Sequence, residues 1–237
     1  STYYFSGNYE ISREFLKEEN YILSMLSKSQ FNRRLNKIPE SVWQSLTYYL
    51  SSVFKSLNRN KLYIIDSFPV SVCDNIRIKC SKIYKEEKYR GYIPSKKRYF
   101  FGLRVHMIVT ENSEPIEFIL EPGATNDNKV LKFFNFDLPK NSIIYGDKMY
   151  NNYDFEDFLQ EILSIKLKPI RKKNSLRPHN LLFDYIMRKG RKVVETTFSL
   201  ITSCFPKSIH AVTAKGFELK IVLFIIAYSI KCYCSFS

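Results

Sequence analysis

The spacing of apolar and polar residues divides the chain into a helical first part and a mixed second part. Between Glu10 and Asn58, apolar side chains such as Phe15, Ile22 and Leu26 recur at three- and four-residue steps. This spacing is typical of amphipathic helices. Pro39 is the breaker in this stretch, so we predict one helix before it and another that opens close behind it.

The second part begins with short apolar runs that predict strands. Lys61–Asp66 is rich in β-forming residues, and we expect Phe68-Pro69-Val70 to end it, because proline cannot continue a central strand. Arg98–Thr110 and Pro115–Leu120 predict two more strands joined as a hairpin. Ile76–Pro94 is basic and lacks periodicity, so we interpret it as a loop or a weak hairpin.

Helices and strands alternate in the remainder of the chain. The sequence predicts a helix from Asn126 or Asp127 to Phe134, a strand ending at Asp147, a helix from Asn151 or Asn152 to Leu163, a strand at Ile165–Ile170, and helices at Ile186–Phe205 and Phe217–Tyr233. Three sequential strands followed by this alternation predict an α/β fold with a mixed sheet flanked by helices, as a ribonuclease-H-like fold requires. We therefore expect an N-terminal helical region at 1–60 and a ribonuclease-H-like domain at 61–237.

Composition narrows the possible partners. The formal charge of +14 favours a polyanion, with nucleic acid first and an anionic membrane surface second, although it is also compatible with a basic protein that binds neither. The apolar run Ile221–Ile230 is half of the roughly 20 residues that a membrane span needs, so we predict a buried helix and no membrane partner.

Five cysteines without regular spacing, and no signal peptide, favour a reducing cytoplasm. The cysteine spacings do not match a zinc site, and we interpret them as ordinary thiols.

Three carboxylates form the candidate catalytic group. Asp66 and Asp147 end predicted strands, and Glu195 lies in a predicted helix. The tip of a strand is where a sheet presents chemistry to solvent. Phosphodiester chemistry is served by two divalent ions about 4 Å apart, and Mg²⁺ is held by one or two carboxylates together with waters and substrate phosphates. The three residues could therefore hold Mg²⁺ or Mn²⁺, with two ions expected.

Each carboxylate also has a structural alternative. Asp66 could be a turn residue before Pro69, Asp147 could cap the helix that starts near Asn151, and Glu195 could pair with a basic neighbour on an exposed helix face. Asp127 is a lesser candidate, which we interpret as a helix cap. His106 lies in an apolar strand and is interpreted as a core histidine.

Several long segments resemble the DDE-type transposases of bacterial insertion sequences, and in particular the insertion-sequence-982 family. The segments are DSFPVSVCDN from Asp66, GYIPSKKRYFFGLRVHMIVT from Gly91, IYGDKMYNNYDFEDFL from Ile144, PIRKKNS from Pro169 and FPKSIHAVTAKGFELKIVLFIIAYSI from Phe205. The resemblance implies a ribonuclease-H-like core with Asp66, Asp147 and Glu195 as its metal-binding triad. It also implies recognition of inverted repeats at element ends, strand cleavage and transfer into target DNA, and a homodimer on that DNA. The location it implies is the bacterial cytoplasm, in association with the nucleoid.

The chain departs from the family pattern in two respects. Arg191 precedes Glu195 by four residues as in the family, but Thr202 stands where a lysine often follows, and Lys207 is the candidate substitute. Relatives also carry more sequence before the core, so we expect the chain to lack an N-terminal part. The alternatives are a transposase remnant that only binds DNA and a nuclease of the same fold without strand transfer.

Two basic clusters flank the candidate triad and are predicted to contact DNA. Cations near a phosphate track raise affinity by releasing counterions, and interleaved tyrosines can stack on bases at a cut end. The alternative is solvated surface charge. The predicted contacts are Arg90, Lys96, Lys97, Arg98, Arg171, Lys172, Lys173, Arg188, Arg191 and Lys192.

Overall fold

The protein forms a mixed six-stranded sheet with helices packed against it. The computed structural model describes residues 4–22, 24–171, 174–179, 181–206, 209 and 211–235, with the side chains of 74–76, 95, 181, 184, 188, 190 and 191 left aside. The strands are β1 (Leu62–Asp74), β2 (Arg90–Ile93), β3 (Arg98–Thr110), β4 (Pro115–Pro122), β5 (Ile143–Gly146) and β6 (Lys166–Pro169). The helices are α1 (Tyr9–Glu18), α2 (Lys28–Lys37), α3 (Glu40–Leu57), α4 (Asp127–Val130), α5 (Tyr153–Leu163), α6 (Leu181–Ser203) and α7 (Ala214–Cys234).

The strand order confirms the predicted ribonuclease-H-like fold class. β1 pairs antiparallel with β3 along one edge and parallel with β5 along the other, and β6 extends the sheet parallel to β5. β3 uses its remaining edge twice, for β4 over Leu103–Val109 and for β2 over Arg98–Phe101. The sheet thus has three long antiparallel strands followed by two short parallel ones, with helices between the later strands.

The predicted end of β1 at Asp66 was wrong. β1 continues through Pro69 to Asp74, because its pairing with β3 runs on while its pairing with β5 stops at Ile65. Among the described strands, this part of β1 has a partner on one edge only, and such a strand tolerates a proline. The segment Ile76–Pro94, predicted to be a loop or a weak hairpin, contains β2, a short strand that pairs antiparallel with β3.

The chain separates into two compact units, whose limits fall inside α3 and α6. Unit 1 consists of Ser1–Tyr49 and Ser199–Ser237, and unit 2 of Leu50–Phe198. These limits differ from the boundary at residue 60, which was drawn where the helical pattern gives way to strands and stays a prediction. Unit 2 contains the whole sheet and all three candidate carboxylates.

Unit 1 is helical, as predicted for the first part of the chain, but two helices, α1 and α2, precede Pro39 where one was predicted. Tyr9 on α1 stacks on Phe31 of α2 with ring centroids 4.2 Å apart, and its hydroxyl donates to the Leu26 carbonyl at 2.7 Å. α7 contains the apolar run Ile221–Ile230, and Phe217, Ile221 and Phe224 on it are buried. None of the helices in the described residues has both the length and the apolar character needed to cross a membrane.

Candidate active site

Asp66 and Asp147 lie at the same level on neighbouring strands. In the parallel pairing of β1 with β5, the last matched residues are Ile65 and Gly146, and each is followed directly by one of the two aspartates. Paired strands lie about 4.8 Å apart, so the two backbones are adjacent where the carboxylates begin. Both side chains are half-buried.

Local hydrogen bonds orient the two carboxylates. Asp66 Oδ1 accepts from the Ser67 backbone N–H at 2.8 Å, and Asp147 Oδ1 accepts from the Lys148 backbone N–H at 2.6 Å. Asp147 therefore caps the single 3₁₀ turn Lys148–Tyr150, while Asn152 caps α5. Asp147 does act as a cap, but of this short turn and not of the long helix.

Gly146 allows β5 to approach β1 closely just before Asp147. A Cβ at this position would lie 3.0 Å from Ile65 Cγ2 and 3.4 Å from the Tyr150 ring. The first separation is tighter than ordinary van der Waals contact, so a side chain here would push the strand or the following turn away. The glycine thus helps to set the spacing of the two aspartates.

A partly buried polar cluster adjoins the two aspartates and consists of Ser67, Arg104, His106, Asp127 and Tyr150. His106 Nδ1 lies 3.1 Å from the Tyr150 hydroxyl and 3.6 Å from Asp127 Oδ1. The Ser67 hydroxyl lies 3.5 Å from Asp127 Oδ1 and accepts from Arg104 Nη1 at 3.4 Å. Because Ser67 follows Asp66 and Tyr150 closes the turn capped by Asp147, the cluster supports both candidate carboxylates.

Burial governs the protonation of this cluster. It lowers the pKa of His106 to about 3, with the Arg104 charge adding to the effect, so the ring is neutral at physiological pH. It raises the pKa of Asp127, and the charge of Asp147 acts in the same direction while Arg104 opposes it. It also raises the pKa of Tyr150, to which the negative charges of Asp127 and Asp66 contribute.

The interpretation of Asp127 as a helix cap was wrong. Asn126 caps α4, since its side chain accepts from the Asn128 N–H at 3.0 Å. Asp127 instead points inward, and its side chain is 12% exposed. The interpretation of His106 as a core histidine was correct, because the residue is fully buried.

Helix α6, which contains Glu195, packs on the face of the sheet from which Asp66 projects. Alternate residues of a strand share a face, so Asp66 and Phe68 point the same way. Phe68 packs on Phe198 of α6 with ring centroids 4.6 Å apart. Glu195 precedes Phe198 by three residues, so the two lie on one side of the helix.

The course of α6 brings Glu195 near the level of Asp66. Near the start of the helix, Phe183 contacts Tyr145, which is paired with Ile64 of β1. Phe198, further along, is level with Phe68, so the helix advances in the direction of β1. At about 1.5 Å per residue, Glu195 lies about 4.5 Å before Phe198. Its side chain is exposed.

The donor set of Asp66, Asp147 and Glu195 fits a hard divalent cation. Carboxylate oxygens are the ligands that Mg²⁺ and Mn²⁺ prefer, and Mg²⁺ is commonly held by only one or two carboxylates plus waters and substrate phosphates. Within the described residues, no three His, Cys, Asp or Glu side chains form a ready-made metal cage. The arrangement is therefore a pair of adjacent aspartates with a third acid near their level.

The residues predicted to contact DNA differ in how far they are exposed to solvent. Lys96, Lys97 and Arg98 are exposed at the tip of the β2–β3 hairpin, and Lys192 is exposed on α6. Arg90 is partly exposed and lies over the Tyr99 ring. Lys172, Lys173 and the side chains of Arg188 and Arg191 lie outside the described residues, as does Lys207.

Arg171 is placed inside the fold, away from the surface where its contact with DNA was predicted. Its guanidinium is paired bidentately with Glu156, and both side chains are 7% exposed. It also donates to Asn151 Oδ1 at 2.6 Å, while Asn151 Nδ2 donates to the Lys148 carbonyl at 2.8 Å. Arg171 therefore braces the turn that follows Asp147.

Sequence reasoning missed the cluster that supports the aspartates. Tyr150 had a usable signal, because it stands three residues after Asp147 at the end of one turn. Ser67 stands beside Asp66 but is an ordinary strand residue by type. Arg104 and His106 gave no signal of their relation to the site, because only the pairing of β3 with β1 brings them to Ser67.

Comparison with known proteins gives one clear match. A family profile described as "Transposase DDE domain" matches residues 57–206, which include all three candidate carboxylates. No curated protein matches the sequence.

Two solved structures show weak similarity. A Mos1 mariner paired-end complex with Mn is 13% identical, with 95% of this chain and 70% of that chain covered at a TM-score of 0.26. A pre-cleavage Mos1 transpososome is 12% identical, with the same shares covered at a TM-score of 0.25. Scores this low do not establish a shared fold, so the fold class rests on the strand order.

Proposed function

The chain belongs to the family of transposase DDE domains, and we propose that it cleaves DNA at the ends of a mobile element and joins those ends to target DNA. Within that family we assign it to the bacterial insertion-sequence-982 group, acting in the cytoplasm on nucleoid DNA. The assignment to this group depends on the five sequence segments described above.

The pairing of β1 with β5 is the single observation that carries the proposal. It sets Asp66 and Asp147 side by side at the ends of matched strand segments, inside the region that the family profile covers. Two carboxylates that repel one another at this spacing gain from a shared cation. The Phe68–Phe198 contact supports Glu195 as the third member.

Asp66, Asp147 and Glu195 would hold the divalent ions, Mg²⁺ or Mn²⁺. When bound, the ions would activate the attacking hydroxyl or water and neutralise charge on the phosphate. The protein contributes orientation, because the backbone N–H groups of Ser67 and Lys148 hold one oxygen of each aspartate. The polar cluster around His106 supports the strand and the turn that carry them.

The proposed DNA partners are the inverted repeats at the element ends and a double-stranded target. Lys96, Lys97, Arg98 and Lys192 are exposed and would contact phosphates. Because two ends must be processed together, we propose that the protein works as a homodimer on DNA. Arg171 is not included among the contacts, since its charge is buried against Glu156.

The experiment compares nicking of labelled element-end DNA in Mn²⁺ by wild type and by Asp147→Asn. Loss of one of the two adjacent carboxylates should reduce nicking by at least about 100-fold while DNA affinity stays within about 2-fold, because the variant removes a metal ligand and leaves the basic surface intact. Asp154→Asn is the matched control, since Asp154 is an exposed acid in the first turn of α5. It should nick at the wild-type rate.

The products separate the competing functions. Nicks together with joined strands support the transposase. Nicks without joining under any target concentration indicate a nuclease of the same fold. DNA binding without nicking in Mn²⁺ or Mg²⁺ would refute catalysis and leave a DNA-binding remnant.

A further inference from the structure

The hairpin of β2 and β3 places two exposed tyrosines directly opposite each other. Tyr92 and Tyr99 are paired in the antiparallel register, and their ring centroids lie 4.9 Å apart. Tyr92 is 42% exposed and Tyr99 is 47% exposed. The ring planes are inclined by 50°, so the rings do not lie flat on each other. Each tyrosine thus keeps nearly half of its surface open to solvent at this point of the sheet.

The surroundings of this tyrosine pair are cationic. The Arg90 guanidinium lies over the Tyr99 ring, 4.3 Å from its centroid. From Lys88 to Thr110 the sequence contains six Lys or Arg and no Asp or Glu. Two acids come just before this stretch: Glu87 lies 3.5 Å from Arg90 and Glu86 lies 2.9 Å from Lys88, and their side chains are 80% and 69% exposed. Exposed aromatic rings beside a row of cations suit a ligand that has both flat rings and negative charge, which is single-stranded nucleic acid.

The base of the hairpin is closely packed and held by backbone hydrogen bonds. A Cβ on Gly91 would lie 2.4 Å from the Phe100 ring and 2.6 Å from the Gly123 carbonyl oxygen, so the backbone of β2 is packed against both. The Gly123 N–H donates to the Gly102 carbonyl at 3.0 Å, and the Ala124 N–H donates to the Lys88 carbonyl at 3.0 Å. A preorganised aromatic surface loses little entropy when it binds a ligand.

Arg104 connects the hairpin to the candidate active site. Its Nη2 donates to the Tyr92 carbonyl at 3.2 Å and its Nη1 to the Ser67 hydroxyl at 3.4 Å, next to Asp66. Along β3, Tyr99 precedes Met107, the partner of Asp66, by eight residues. At about 3.4 Å per residue this is at most about 27 Å. A DNA strand also advances about 3.4 Å per nucleotide, so the span corresponds to about eight nucleotides or fewer.

We propose that Tyr92 and Tyr99 form a stacking site for unpaired bases of a DNA strand whose phosphate lies at Asp66 and Asp147. The proposal rests on the function given above and adds a substrate feature to it: the strand next to the cleaved phosphate is single-stranded over part of its length. Arg90 and the lysines of the hairpin tip hold the backbone of the same strand.

The test measures binding without metal, so no cleavage is needed. The probe is a DNA duplex with a single-stranded tail of about eight nucleotides, with 2-aminopurine placed at one tail position at a time. Stacking on tyrosine quenches this fluorophore, so wild type should quench it at one or two tail positions and not in the fully paired duplex. Tyr99→Leu and Tyr92→Leu should remove the quenching and weaken tail binding between about 5-fold and 100-fold each.

Two control variants separate stacking from charge. Tyr99→Phe keeps the aromatic face and should bind and quench within about 2-fold of wild type. The double variant Lys96→Ala with Lys97→Ala should lower the slope of log affinity against log salt by roughly 1.5, yet quench fully once saturated. Circular dichroism checks that the leucine variants, which lie on the surface, remain folded.

Two results would overturn the proposal, and a third would separate it from the transposase function. Leucine variants that bind and quench as wild type does would overturn the proposal and leave a site that contacts only the phosphate backbone. Equal binding of the tailed and the fully paired probe would overturn it as well. If wild type stacks the tail as expected but never nicks DNA in Mn²⁺, the stacking site stands and the transposase function fails.

Discussion

The buried imidazole of His106 should make stability strongly pH-dependent, and substitution by asparagine should remove that dependence. His106 is fully buried, and burial lowers its pKa from 6.5 to about 3. The unfolded chain therefore binds a proton at this residue below about pH 6.5, while the folded protein does not until about pH 3. Protonation favours unfolding throughout this window, so stability falls as the pH falls.

The magnitude follows from the two pKa values. Their difference corresponds to about 5 kcal/mol when the window is crossed completely. Between pH 7 and pH 5 the expected loss is about 2 kcal/mol, and between pH 7 and pH 4 it is about 3 kcal/mol. These values are upper bounds, because Asp127 lies 3.6 Å from Nδ1 and its charge favours the imidazolium.

The assay is urea unfolding at pH 7, 5 and 4 for wild type and His106→Asn. The Asn side chain keeps an acceptor for the Tyr150 hydroxyl but has no proton to gain. Its loss of volume lowers stability at every pH, whereas the wild-type decline of up to about 3 kcal/mol from pH 7 to pH 4 should be absent. Other buried acids, such as Glu117 with a pKa raised by burial, titrate in both proteins and cancel in the difference.

Tyr150→Phe is the control for the hydrogen bond alone. It removes the partner of His106 Nδ1 at a cost of about 1–3 kcal/mol and leaves the imidazole to titrate, so its pH dependence should match that of wild type. If wild type and His106→Asn lose the same stability between pH 7 and pH 4, the imidazole is not held neutral by burial and the reasoning is refuted.

Two further substitutions test the packing around the site. Glu156→Gln leaves the Arg171 charge buried without its partner and should cost about 3–5 kcal/mol of unfolding free energy, whereas Asp157→Asn breaks the half-exposed ion pair with Arg177 and should cost at most about 1 kcal/mol. Equal losses in the two variants, measured by urea unfolding, would contradict the burial argument. Phe198→Ala removes the ring that packs on β1 and should cost about 3–5 kcal/mol. In Phe198→Ala, nicking in Mn²⁺ should fall far more than DNA affinity, because Glu195, the third predicted metal ligand, is on the same helix. A proportional fall in nicking and affinity would argue against this role of Glu195.

The sequence by itself determined the fold class and the position of Asp147. Apolar runs predicted β3 with both of its ends and α7 to within a few residues, and periodic spacing predicted α5 equally closely. These elements are set by local pattern, since a strand or an amphipathic helix needs only its own residues to show which face is buried. Asp147 was predicted as a site residue because an apolar strand pattern ends at Gly146 and this acid comes directly after it.

The tertiary structure decided the features that depend on pairing. Pro69 was expected to stop β1, but whether a strand tolerates proline depends on which edge is paired, and β5 is too short to reach it. The inward position of Asp127 depends on Asn126 taking the cap and on Arg104 and Ser67 lying across the sheet. No local pattern reports such contacts, because their partners are 23 to 60 residues away along the chain.

The position of Asp66 beside Asp147 follows partly from the sequence and partly from the tertiary structure. Residue type and strand ends made each aspartate a candidate, and the register of β1 with β5 set them side by side. The sequence predicted tyrosines among the cations that could stack on bases, but only the tertiary structure makes Tyr92 and Tyr99 a pair. Their two rings are seven residues apart in sequence and become neighbours only because β2 pairs with β3.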